Sequence, residues 1–121
     1  MNYDEELELI DYVWRYFSHL MTDFEQQVNH ASIGRRKVAA CDHPTMSRML
    51  NDRWARPDDR AINSALAAGE EQFRSRVAHR VLAEQKDQAF VNRCPNCGRL
   101  VRTPWAKQCF WCGQDWHAKQ G

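Results

Sequence analysis

Residues 94–113 read CPNCGRLVRTPWAKQCFWCG, two Cys-x-x-Cys pairs each followed directly by glycine. A two-residue spacing lets both sulfurs of one turn point at a single ion. Four thiolates arranged that way form a tetrahedral site that selects zinc or, less often, iron. Gly98 and Gly113 permit a positive φ after each pair, so backbone N–H groups can aim at the sulfurs. Cys94, Cys97, Cys109 and Cys112 are therefore the expected ligands of one metal ion. Four protein ligands close the shell, which predicts a structural Zn2+ rather than a catalytic one with an open position for water. A segment this short needs such a staple to hold a fold, since chains below about 40 residues bury too little surface alone.

The pattern resembles the short CPxCG…CxxCG type of zinc ribbon found at protein ends, over roughly residues 91–117. The resemblance implies two knuckles on short β-hairpins, with the four cysteines as ligands. An electron-transfer iron site is the less favoured alternative. His117 follows the last pair and is expected at the surface, because the quartet is already complete. Two glycine-capped knuckles also argue against thiol oxidoreductase chemistry, which uses one exposed pair at a helix start.

Outward from this module the chain is helical in pattern. Leu7, Ile10, Trp14, Phe17, Met21, Phe24 and Val28 recur at helical spacing, and Val13, Tyr16 and Leu20 widen the stripe. Thr22 and Glu25 have the form of a capping box, which predicts a break near Thr22 and a second helix from Asp23 towards Arg35, Arg36 and Lys37. Gly34 interrupts that second pattern. Cys41 to Pro44 reads as a loop, and residues 45–55 as a short helix with Met46, Met49, Leu50 and Trp54 on one side. A new start at residues 56–59 leads into a long polar helix to about Ala89, with Ile62, Leu66, Gly69, Phe73, Val77 and Val81 inward. No internal repeat is apparent. The expected fold is mainly α: a small helical bundle over residues 1–90 followed by a C-terminal zinc ribbon over residues 91–121.

Charge is unevenly spread along the 121 residues, whose formal net charge is only +1. Residues 1–33 hold seven acids and one base, whereas residues 93–121 hold five bases and one acid. No apolar run approaches the ~20 residues of a membrane span, and the acidic N-terminus is unlike a leader peptide. Paired Cys-x-x-Cys motifs with one leftover thiol, Cys41, suit a reducing compartment, so a cytoplasmic protein is expected. No phosphate-cradling loop, nucleophile elbow or zinc-protease motif is present, which predicts a non-enzymatic protein without a small-molecule substrate.

Trp105, Phe110, Trp111 and Trp116 are more aromatic surface than so small a module can bury. Some are expected to pack on the chain's own helices, at Trp14 and Phe17 or at Trp54. Others, with Arg99, Arg102 and Lys107, are expected to form an aromatic and basic surface for a partner. That partner is expected to be another protein, as for a small inhibitor or immunity protein, with a nucleic-acid- or ribosome-associated role as the alternative.

Overall fold

Asp4 starts the first helix: its carboxylate accepts from the Leu7 N–H at 3.1 Å, and Glu5, Glu6 and Glu8 crowd the first turn, where the helix dipole favours negative charge. In this computed structural model, which describes residues 2–117, helix α1 runs Glu5–Tyr16. Its buried side chains are Leu9, Ile10, Tyr12, Val13 and Trp14, with Phe17 just beyond. Of the expected stripe, Ile10, Trp14, Phe17, Met21 and Val28 are buried. Its other members, Leu7 in the first turn of α1 and Phe24 in the first turn after the cap at Thr22, are exposed.

After a 3-10 turn at Ser18–Leu20, the capping box forms as expected. Thr22 Oγ1 accepts from the Glu25 N–H at 3.1 Å, and Glu25 Oε1 accepts from the Thr22 N–H at 2.8 Å. Helix α2, Asp23–Ala40, then continues straight through Gly34. A Cβ at that position would lie 2.6 Å from Trp54 Cβ and 2.9 Å from the Ala55 nitrogen. Gly34 is therefore where another backbone approaches, not where the helix ends.

Helix α3, Pro44–Leu50, begins one residue earlier than expected, since Pro44 suits a first helical turn and His43 Nδ1 accepts from the Met46 N–H at 3.2 Å. A π-turn, Asn51–Ala55, follows and packs against α2. The expected apolar side of this segment is not core: Met46, Met49 and Trp54 are exposed, and Ala55 is what the turn buries.

The long helix predicted from residue 56 to about Ala89 is two helices. Asp59 caps α4, Arg60–Ala65, and residues 66–69 turn before α5, Glu70–Glu84. Gly69 has φ +100°, a left-handed conformation that a helix interior excludes, and its carbonyl accepts from the Phe73 N–H at 3.1 Å, so it stands at the start of α5 and not inside one long helix. Ile62, Phe73, Val77 and Val81 are buried as the pattern predicts, whereas Gly69 is exposed.

The fold is mainly helical, and no helix among the described residues is long and apolar enough to cross a membrane. Two compact units share the chain. One is Met21–Val77, in which α2 packs on α3, the π-turn and α4. The other combines the chain up to Leu20 with the chain from Ala78 onward, so the cysteine module belongs with α1 and the end of α5. The hairpins expected there are reduced to single antiparallel bridges, Arg93 with Leu100 and Gln108 with Asp115; among the described residues no longer strand forms.

Candidate metal centre

Residues 92–101 and 107–116 make the same turns twice. Cys94 N–H donates to Arg99 O at 3.0 Å and Cys109 N–H to Gln114 O at 2.8 Å. The Gly98 and Gly113 N–H groups donate to the carbonyls of Cys94 and Cys109, both at 3.0 Å. Val101 N–H reaches Asn92 O, and Trp116 N–H reaches Lys107 O, both at 2.9 Å. The module is thus an internal repeat, contrary to expectation. Only the Cys-x-x-Cys-Gly frame is shared between the copies, so the signal lay in the fixed offset of the two frames and not in similar side chains.

The repeat brings its four sulfurs together. All lie within 4.8 Å of one another, with Cys94 Sγ to Cys112 Sγ at 3.5 Å and Cys97 Sγ to Cys109 Sγ at 3.7 Å. A tetrahedron with metal–sulfur bonds of about 2.3 Å has edges of roughly 3.8 Å, so the quartet is sized for one such ion. The separations are far longer than a disulfide's ~2.05 Å. Backbone N–H groups of Asn96 and Cys97 point at Cys94 Sγ at 3.3 and 3.4 Å, and those of Trp111 and Cys112 point at Cys109 Sγ at 3.3 and 3.4 Å. These donors aim at the sulfurs of the two buried cysteines and are what the positive φ of Gly98 (77°) and Gly113 (82°) makes possible. The arrangement can hold one metal ion, consistent with zinc.

The two exposed cysteines of the quartet are pushed in opposite directions. The Gln114 backbone N–H and the Asn96 side chain hold Cys112 down to about 6. At Cys97 the Arg99 backbone N–H also pulls downward, but partial burial and the three neighbouring thiols outweigh it and push the group up to about 11. His117 takes no part: its Nδ1 lies 2.6 Å from Asp115 Oδ1 on the surface.

Family models, curated proteins and solved structures all give no match to this chain. The likeness to a zinc ribbon therefore rests on the cysteine spacing and the geometry just described.

Residues that sequence reasoning missed hold the module in place. Tyr3 donates its hydroxyl proton to Glu5, accepts from the Leu100 N–H at 3.0 Å, and meets Trp111 edge-on at 5.0 Å between centroids. Glu5 clasps Arg93 with both oxygens, at 3.0 and 2.7 Å, and the Arg93 guanidinium holds the Glu5 carboxyl below its usual range. Tyr12 donates to Phe90 O at 2.7 Å, and burial raises its hydroxyl pKa. Asn92 Nδ2 reaches the carbonyls of Thr103, Pro104 and Ala106 and so shapes the loop between the knuckles. The acidic start and basic end of the chain were the available signal, since opposite charge at the two ends favours their pairing.

The aromatic and basic residues divide. Trp111 and Trp116 pack inward on Cys94, Val101 and Cys109. Arg99 lies over the Tyr3 ring at 5.6 Å, and Lys107 is half-buried. Trp105 stays 72% exposed with one edge on Tyr16, and Phe110 stays 52% exposed with the Arg102 guanidinium 3.8 Å above its ring. Self-docking of the module thus uses Tyr3 and Tyr16 together with the expected Phe17, which meets Phe90. A cleft of about 430 Å³ opens beside them, with Glu8, Asp11, Arg15, Tyr16 and Arg102 in its walls. Trp105 and Phe110 each touch one of those wall residues.

Proposed function

We propose that the chain is a non-enzymatic zinc-binding protein whose metal-stapled module presents an aromatic and basic surface to another protein. Zinc is the ion this reading assigns, because four thiolates at tetrahedral spacing suit a filled-shell ion with no open position for chemistry. What carries the reading is the exposure of Trp105 and Phe110 at the edge of a walled cleft, on a module with almost no other exposed large apolar side chains. Aromatic anchors beside a pocket, with an arginine already stacked in place, are the composition of a protein hot spot. A nucleic-acid role is less favoured, because Arg93 is already neutralised by Glu5 and Phe110 has a face covered by Arg102.

The test is capture from the native cell with full-length protein, alongside the double variant Arg102→Ala, Trp105→Ala. A defined protein retained through high salt by the wild type and lost by the variant, with bound zinc unchanged in both, is the expected result. Recovery of nucleic acid that salt releases from the wild type and that the variant no longer retains, or equal retention of the protein partner by the variant, would overturn the proposal.

A further inference from the structure

The compact unit Met21–Val77 carries a second site, separate from the cysteine module, at the end of the π-turn. Arg56 there adopts φ 45° and ψ 59°, the one non-glycine residue with positive φ among the described residues. Side chains larger than glycine enter that region at a cost of about 1–2 kcal/mol, and such strain gathers at binding sites. The surrounding structure enforces it. Arg35 donates to the carbonyls of Ala55 and Arg56, both at 2.8 Å, and to Asn63 Oδ1 at 2.7 Å, while Gly34 seats the Trp54 backbone.

The turn forms one wall of a cavity of about 250 Å³, lined by Gln27, His30, Arg53, Trp54 and Arg56. Gln27 and Asp59 orient the Arg56 guanidinium, at 3.2 and 2.7 Å. Arg53 has no hydrogen-bond or ion-pair partner among the described residues, and His30 has only its ring contact with Trp54, at 5.6 Å. Lys37 stands over the Trp54 ring at 5.7 Å. No carboxylate lines the cavity itself.

We infer that this cavity binds a phosphate group attached to a flat ring, as in a nucleoside monophosphate. Unpaired Arg53 is the cation free to meet a phosphate, with Arg56, already ion-paired to Asp59, in the same wall and Lys37 beyond the lining over Trp54. Trp54 is 42% exposed beside them, and the indole surface that Lys37 and the tilted His30 ring leave open is what a flat ring would meet. The same chemistry occurs free and at the 5′ end of a nucleic-acid strand, and the experiment separates the two.

Full-length protein is titrated by NMR with inorganic phosphate, with adenosine 5′-monophosphate, and with a 5′-phosphorylated trinucleotide. Saturable shifts confined to residues around Trp54 are expected, with the nucleotide about tenfold tighter than phosphate alone. Arg53→Gln should weaken all binding about tenfold, and Trp54→Leu, which keeps the Cβ against Gly34, should remove only the nucleotide's advantage. Tighter binding of the trinucleotide would place the phosphate on a strand; tighter binding of the mononucleotide would identify a free ligand. No saturable shift with any of the three, or binding that Arg53→Gln leaves unchanged, would overturn the inference. Neither result bears on the metal centre, which lies in the other unit.

Discussion

At the scale of single residues, Gly34 and Gly69 look alike in sequence, each a glycine on an apolar helical pattern, and do opposite things. Gly69 takes a positive φ in the turn just before α5 and meets nothing that a side chain would touch. Gly34 keeps helical geometry and exists for what presses against it. Alanine in a helix interior normally gains up to about 1 kcal/mol over glycine. At Gly34 the added methyl would meet a backbone nitrogen and a Cβ, neither of which can swing away, at 2.9 and 2.6 Å. Overpacking of that kind costs about 1–3 kcal/mol, so Gly34→Ala is expected to lower the urea midpoint. A raised midpoint would show that the turn yields easily.

Among the elements, α2 depends on its cap more than its length suggests. Only four of its eighteen residues are buried, Val28, Ala31, Ser32 and Gly34, so little apolar area stabilises it. The reciprocal bonds between Thr22 and Glu25 satisfy two N–H groups that the first turn leaves without intrahelical partners. Thr22→Ala is expected to cost about 1 kcal/mol in equilibrium unfolding, with faster hydrogen exchange at the Glu25 amide. Unchanged exchange there would mean that packing alone sets the start of α2. The π-turn shows the opposite dependence. Its conformation is imposed from outside, by Arg35 and by the shelf at Gly34, and nothing in residues 51–55 announces it.

For the whole molecule, metal loading and proton loading oppose each other. An ion requires four thiolates, yet Cys97 without metal is held near 11 and carries a proton at neutral pH. Binding expels that proton, so from Cys97 alone the affinity should fall about tenfold for each unit of pH lost. Below about 6, Cys112 is protonated as well and the fall should steepen. Zinc titrations against a competing chelator from pH 5 to 8 measure this directly. A pH-independent affinity would mean that the sulfurs are not the ligands.

How much of this was legible in the sequence follows from the range of each interaction. The cysteine quartet, the cap at Thr22, a helix start within residues 56–59 and the mainly helical class are written in residues a few positions apart, so spacing alone determines them. That Met46, Met49 and Trp54 stay exposed was not legible, because periodicity reports an apolar face and not whether anything covers it. The repeat of the two knuckles, the approach at Gly34, the clasp of Arg93 by Glu5 and the seat of Trp111 on Tyr3 were decided by the tertiary structure. Each depends on partners distant in the chain, whose meeting is set by how the helices pack and not by any local pattern.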